Sequence, residues 1–175
     1  MQTKSGVLIP LLLGASLLAA SQAWATTLPD SCGPQSASFN ISKQKGKSLL
    51  PDSSADKATL VFVQRAGLCI GCSTTRVGVD GAWIGANKGS SYFSAAVDAG
   101  EHHVCANWGA PLAATEAKLS LTDLQTEAGK TYYFETVITQ HQDEAPRLVF
   151  KPLSTDEGQF LVSRSALSVA VPKPK

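Results

Sequence analysis

Cys69-Ile-Gly-Cys72 is the segment of this 175-residue chain best equipped for chemistry. A Cys-x-x-Cys pair works as a dithiol–disulfide couple when it opens a helix, whose N-terminal dipole lowers the thiol pKa. Here Ser73-Thr-Thr-Arg-Val-Gly-Val79 follows, a β-branched run that reads as a strand, so the activating helix is missing. Haem attachment requires His directly after the second Cys, and residue 73 is Ser. Zinc is the other use. Cys69, Cys72, His103 and Cys105 make a Cys₃His set of the kind that holds Zn²⁺ tetrahedrally, and His103 and Cys105 share one face of a strand. In an oxidising compartment the same thiols form structural disulfides instead.

The remaining reactive side chains do not assemble into a motif. The histidines are His102, His103 and His141. No Gly-x-Ser-x-Gly elbow, His-Glu-x-x-His pair or glycine-rich phosphate loop occurs. His102 reads as a hydrogen-bonded side chain at a strand end, and Asp143-Glu144 beside His141 as a solvated loop. No catalytic residue, metal ligand set or cofactor is therefore assigned. Trp83, Tyr92 and Trp108 are candidates for an aromatic ligand platform, for example for glycan, against the alternative that they pack in the interior.

The cysteines take their meaning from the compartment. Met1–Ala25 has the organisation of a secretory signal peptide: Lys4, then an uncharged apolar run from Gly6 to Ala20, then Ala23-Trp-Ala25 as a cleavage site. The run is shorter than the ~20 residues of a membrane span and is interrupted by Pro10. Cleavage after Ala25 is expected, giving a periplasmic or secreted protein. No cysteine stands at the cleavage point for a lipid anchor, so no membrane association is expected afterwards. Lys4 is the only charge removed, and the rest of the chain carries equal numbers of acidic and basic residues. Without a basic cluster to displace counterions, nucleic acid is not an expected partner. The cysteine count after export is even, Cys32, Cys69, Cys72 and Cys105, which predicts two disulfides in one of three pairings.

The elements that position these residues are strands. Residues 26–56 form a polar N-terminal extension in which Ala37–Ser42 adds a short strand. Thr59–Arg65, Thr75–Asp80, Ala82–Asn87, Tyr92–Val97, Glu101–Trp108, Lys118–Gln125, Thr131–Thr139 and Arg147–Lys151 read as strands from β-branched and aromatic content between turn signals. Thr155-Asp-Glu157 caps a short helix running to about Ala166, with Phe160, Leu161 and Leu167 as its apolar stripe. The pattern predicts an all-β fold, a single antiparallel β-sandwich of about seven to eight strands with a short C-terminal helix, over residues 57–167, followed by a disordered tail at 168–175.

Asp80-Gly81 is a strong two-residue hairpin signal. It pairs Val79 with Ala82, Gly78 with Trp83 and Val77 with Ile84. Val77, Val79, Ala82 and Ile84 then face the core, and Trp83 lies on the opposite face over Gly78. A second hairpin, Val97 with His102, places Phe93, Ala95, Val97, His102 and Val104 together and turns His103 and Cys105 outward. If consecutive strands run up and down, Cys69, Cys72 and Cys105 reach one end of the domain. Cys105 is then expected to bond Cys69 or Cys72, with Cys32 taking the other.

Lys57-Ala-Thr-Leu-Val-Phe-Val-Gln-Arg65, Val77-Gly-Val-Asp-Gly-Ala-Trp-Ile-Gly85, Tyr92-Phe93 leading to Ala99-Gly-Glu-His102, and Ala128-Gly-Lys-Thr-Tyr-Tyr-Phe134 occur in that order. This ordered set, over roughly residues 56–165, resembles the bacterial family called domain of unknown function 2846, which in turn looks like PEGA-type β-sandwich modules of cell envelopes. The resemblance implies an exported or envelope-associated sandwich and supplies no activity. Ala99 stands where such modules often carry Pro, the cysteines are peculiar to a subgroup, and the lipid-attachment cysteine of many relatives is missing. Two functions follow as expectations: a noncatalytic module that binds or braces a protein or glycan partner, or a thiol–disulfide redox or zinc-binding protein built on Cys69 and Cys72.

Overall fold

The structure, a computed structural model, describes residues 27–46, 50, 55–65, 74–109, 118–139 and 145–174. Cys69, Cys72, His141 and the expected signal peptide lie outside the described residues. In chain order the elements are β1 (Phe39–Gln44), β2 (Lys57–Gln64), β3 (Thr74–Val79), β4 (Ala82–Lys88), β5 (Ser91–Asp98), β6 (Gly100–Trp108), β7 (Leu119–Thr126), β8 (Thr131–Thr139), β9 (Arg147–Leu153), α1 (Thr155–Ser163) and β10 (Ala166–Pro172). The fold is mostly β, as its patterning predicts, but ten strands are described, not seven or eight. They form two sheets: a six-stranded one ordered β1-β10-β5-β2-β8-β9 and a four-stranded one ordered β4-β3-β6-β7. The large sheet is mixed, because β8 runs parallel to β2 and β10 parallel to β5. The small sheet is antiparallel throughout.

The two sheets meet face to face over one apolar cluster. Leu60, Phe62, Phe93, Phe134 and Leu148 come from the large sheet, and Val77, Val79, Val104, Ala106 and Trp108 from the small one. Phe62 stacks on Phe93 and Phe134 with ring centroids 5.2 and 5.6 Å apart, a separation at which aromatic pairs add to simple area burial. β2 is buried on both faces, which explains its near-continuous apolar run. Its outward residues Val61 and Val63 join Tyr92, Tyr133 and Val162 in a second cluster beneath α1.

The first hairpin has the expected turn. Asp80 and Gly81 take φ of 50° and 84°, both positive as a type I′ turn demands. Val79 pairs with Ala82 and Gly78 with Trp83 as expected, but Val77 meets Gly85 and not Ile84 across a β-bulge. At Gly85 the Phe93 ring occupies the place that a side chain would take. Ala82, expected in the core, is exposed at the hairpin tip.

The second expected hairpin does not exist. β5 belongs to the large sheet and β6 to the small one, so the chain changes sheets between Asp98 and Gly100. The corner is built around the Asp98 carbonyl, which accepts from the Thr126 hydroxyl at 3.0 Å and from His102 Nε2 at 2.8 Å. The predicted sharing of a core by Phe93, Val97 and Val104 still holds, because residues facing each other across a two-layer core alternate like residues paired side by side.

The C-terminal end of the domain differs from expectation. The helix is capped by Ser154, whose hydroxyl accepts from the Glu157 N–H at 3.3 Å in a capping box, and it stops at Ser163. Residues 168–172, expected in a disordered tail, belong to β10, which lies inside the large sheet between β1 and β5. The Ser168 hydroxyl donates to the Ala86 carbonyl at 2.7 Å, fastening β10 to the edge of the small sheet. Among the described residues no helix is long and apolar enough to cross a membrane.

Candidate functional site

The outer face of the small sheet is covered by the chain's own N-terminal segment. Cys105 points outward opposite Gly78. With no Cβ at Gly78, the Cys32 backbone lies directly on the sheet there, and Cys32 bonds Cys105 with their Cα atoms 5.0 Å apart. This corrects the expected pairing of Cys105 with Cys69 or Cys72. That expectation assumed strands running up and down in sequence, whereas β2 and β3 lie in different sheets and the chain changes sheets again before β6. Cys69 and Cys72 lie outside the described residues. Cys105 cannot complete a zinc set while its sulfur is bonded to Cys32.

Two further side chains hold the strap. Arg76 reaches the Gln35 carbonyl at 3.2 Å and the Ala37 carbonyl, and its Nε donates to Asn107 Oδ1 at 3.0 Å. Its guanidinium sits 4.2 Å from the Trp83 ring centroid. Trp83 Nε1 donates to the Pro34 carbonyl at 2.9 Å, and the ring lies against Gly33. From there the chain passes into β1, which pairs with β10 at the edge of the large sheet. Trp83 thus lies on the predicted face, but it grips the strap.

The three aromatic candidates do not form a platform. Tyr92 is buried on the outer side of the large sheet beneath α1, Trp108 is buried between the sheets, and Trp83 lies outside the small sheet. Interior packing describes Tyr92 and Trp108, whereas Trp83 packs on the N-terminal strap.

His102 and His103 also part company. His102 is buried on the core side, where Nδ1 donates to Asp80 Oδ2 at 2.6 Å and Nε2 to the Asp98 carbonyl. Both ring nitrogens face acceptors, so the imidazolium is favoured. Burial pushes the His102 pKa down, but the bonds to Asp80 and Asp98 outweigh it and the net shift is upward from 6.5. Asp80 moves downward from 3.8: burial raises it, and the His102 ring and the His103 N–H lower it more. The pair clamps the β3–β4 turn to the β5–β6 corner. His103 is exposed, 3.8 Å from Asp123 and 3.9 Å from Asp80. Among the described residues no group of three or more His, Cys, Asp or Glu side chains could hold a metal ion.

An open groove lies elsewhere, between α1 and the β4–β5 turn. It has a volume of about 360 Å³ and is lined by Arg65, Ser90, Phe160, Leu161, Arg164 and Ser165, within the lower part of the ~300–1,000 Å³ range of small-ligand clefts. Ser90 and the end of α1 are tied by the Ala166 N–H on the Ser90 carbonyl at 3.3 Å. Beside the groove, Glu135 is 1% exposed on β8. Arg65 covers it with a bidentate contact, Nε to Oε1 and Nη2 to Oε2, the latter 3.0 Å, while most of the Arg65 side chain stays in solvent. Arg164 lies 5.6 Å over the Phe160 ring, and Phe160, expected in an apolar packing stripe, is 59% exposed. Leu161 and Leu167 do pack, against the second cluster.

Sequence reasoning missed this groove. A signal was present: Glu135 interrupts a strongly apolar strand at a position flanked by Phe134 and Thr136. A carboxylate there needs a cation, and Arg65 ends the strand that β8 turns out to neighbour.

No curated protein and no solved structure matches the chain. The sequence model of the family described as Protein of unknown function (DUF2846) matches residues 54–146. That segment includes Arg65 and Ser90 of the groove and Glu135 beside it, and Phe160 to Ser165 follow it. With more than half its length matched and the ordered strand motifs within that span, the chain belongs to the DUF2846 family.

Proposed function

We propose that this protein is an exported, noncatalytic module of the cell envelope, periplasmic or secreted after cleavage behind Ala25, that holds a protein or glycan partner in the groove between α1 and the β4–β5 turn. The observation that carries the reading is an exposed aromatic ring with one guanidinium over it and a second guanidinium in the lining of the same groove. One of those groups is fixed by a buried carboxylate. Such a site offers apolar area and oriented donors, and among the described residues its lining is two arginines, two serines, Phe160 and Leu161. The Cys32–Cys105 bond suits an oxidising compartment, and a β-rich fold of this family fits the resemblance to PEGA-type envelope modules.

The test is site-specific photo-crosslinking in a bacterium that carries the gene. A photoreactive phenylalanine analogue is installed at Phe160 and, as control, at Leu121, which is exposed on the small sheet. Adducts from position 160 and none from 121 are expected, with the protein recovered from the periplasmic or culture fraction. Cytoplasmic recovery, or equal labelling from both positions, would overturn the reading.

A further inference from the structure

Resting on the groove reading above, we infer that the ligand is a monoanion: a carboxylate carried on an apolar body, engaged by Arg164 and Arg65 with the body against Phe160. Three observations lead there. The first is charge. Arg65 and Arg164 bring two positive charges to the groove, and Glu135 cancels one. Glu157, which also acts on Arg65, has Lys151 3.8 Å away to offset its charge. One net positive charge balances a carboxylate and falls short of a phosphate dianion.

The second is preorganisation. Glu135 takes Nε and Nη2 of Arg65, which fixes the plane of the guanidinium and leaves Nη1 for a ligand oxygen. Among the described residues no carboxylate pairs with Arg164. A guanidinium fork that no carboxylate holds among the described residues matches a carboxylate with two parallel hydrogen bonds, which a neutral hydroxyl cannot supply.

The third is the exposed Phe160 ring, which packing of the domain does not require and which would cover the apolar face of a sugar ring or an aliphatic side chain. Ser90 and Ser165 add hydroxyl groups at the rim. A carboxylate of this kind has two sources in an envelope, an acidic sugar and a peptide C-terminus, and the groove chemistry is common to both.

The experiment is a titration of the protein comprising residues 26–175, followed by amide chemical shifts, with glucuronate, glucose, inorganic phosphate, a short peptide ending in a free carboxylate and the same peptide amidated. Glucuronate or the free-acid peptide should shift the amides of Ser90 and residues 160–165, and its neutral counterpart should bind at least tenfold more weakly. Which acid binds tells the two sources apart. Arg164→Gln should lower the affinity about tenfold, and Phe160→Ser by a similar factor. Both sites are at the surface, so the variants should keep the native spectrum elsewhere. Equal binding of the neutral analogue, tighter binding of phosphate, or undiminished affinity in Arg164→Gln overturns the inference. A crosslink at Phe160 with none of the carboxylates binding would overturn it too, while leaving the module reading in place.

Discussion

Replacing Cys32 and Cys105 together by Ser should remove a large share of the stability of this domain. The two residues are 73 positions apart, and a closed loop of that length restricts the unfolded chain by about 4.4 kcal/mol in the chain-entropy account. The native state has a stake as well, since the strap from Cys32 to Ala37 carries the Trp83 and Arg76 hydrogen bonds. Without the bridge these must hold the strap alone. Urea unfolding of the wild type and the double variant, followed by circular dichroism, measures the difference. With a urea slope of about 2 kcal/mol per M, the midpoint should fall by roughly 2 M. A fall below about 0.5 M would mean that the strap does not restrain the unfolded chain as argued. Peptide mapping of the oxidised wild type provides an independent check. A peptide linking Cys105 to Cys69 or Cys72 would refute the placement of the strap itself.

Stability should also depend on pH through His102. Its folded pKa is raised, so its contribution is complete below 6.5 and is lost as pH rises through the folded value; that of Asp80, whose pKa is lowered from 3.8, is lost only as pH falls through its own folded value. His102→Gln should flatten the decline of stability above neutral pH seen in wild-type urea curves, and an unchanged slope would reject the clamp. Gly158→Ala should destabilise by about 1–3 kcal/mol although alanine is the better helix former, because its Cβ would enter the Tyr133 ring; a higher melting temperature would contradict that packing. Arg65→Ala should cost about 2–3 kcal/mol, less than the ~3–5 for a fully buried pair because water reaches the arginine end. Adding Glu135→Gln should recover part of that loss, and a double-mutant cycle with no coupling would show that the pair is not formed.

Where nine of the ten described strands lie is legible in the sequence to within a residue or two, since β-branched runs such as Thr131–Thr139 are bounded by turn residues with positive φ such as Gly129. Which strands pair is not. Alternation places Phe93, Val97 and Val104 on one core, yet that holds equally for neighbours in one sheet and for residues facing each other across two, and the second arrangement is the one found. β10 was hidden for a different reason. Ala166-Leu-Ser-Val-Ala-Val171 is short, leads into Pro172-Lys-Pro, and meets β5 in parallel over two residue pairs. It is held by β1 and by Ser168, partners far away in sequence. The opposition of Trp83 to Gly78 could be read from the hairpin, but the strap between them and solvent could not, because four cysteines leave the pairing open. Arg65, Glu135 and Arg164 come from three separate parts of the chain, and without the parallel register of β2 with β8 nothing in their spacing brings them together.

The family-matched segment, residues 54–146, contains β2 to β8 and therefore most of both inner faces of the core, to which β9 adds Leu148. It leaves both outer faces incomplete. On the large sheet, Val61, Val63, Tyr92 and Tyr133 are covered by Val162 and Leu161 of α1 and by Leu153 and Leu167 on its flanks. On the small sheet, Gly78, Trp83 and Cys105 are covered by the strap at Cys32–Pro34. The two flanking segments then pair with each other as β1 and β10. An apolar face of that size left in water would oppose folding at about 25 cal/mol per Å², so the flanks are part of the domain and not appendages to it. The groove is a consequence of this construction. It lies where α1, supplied by the C-terminal flank, stops beside the β4–β5 turn and the end of β2, supplied by the matched segment. The matched segment fixes Arg65 through Glu135, and the flank brings Phe160 and Arg164.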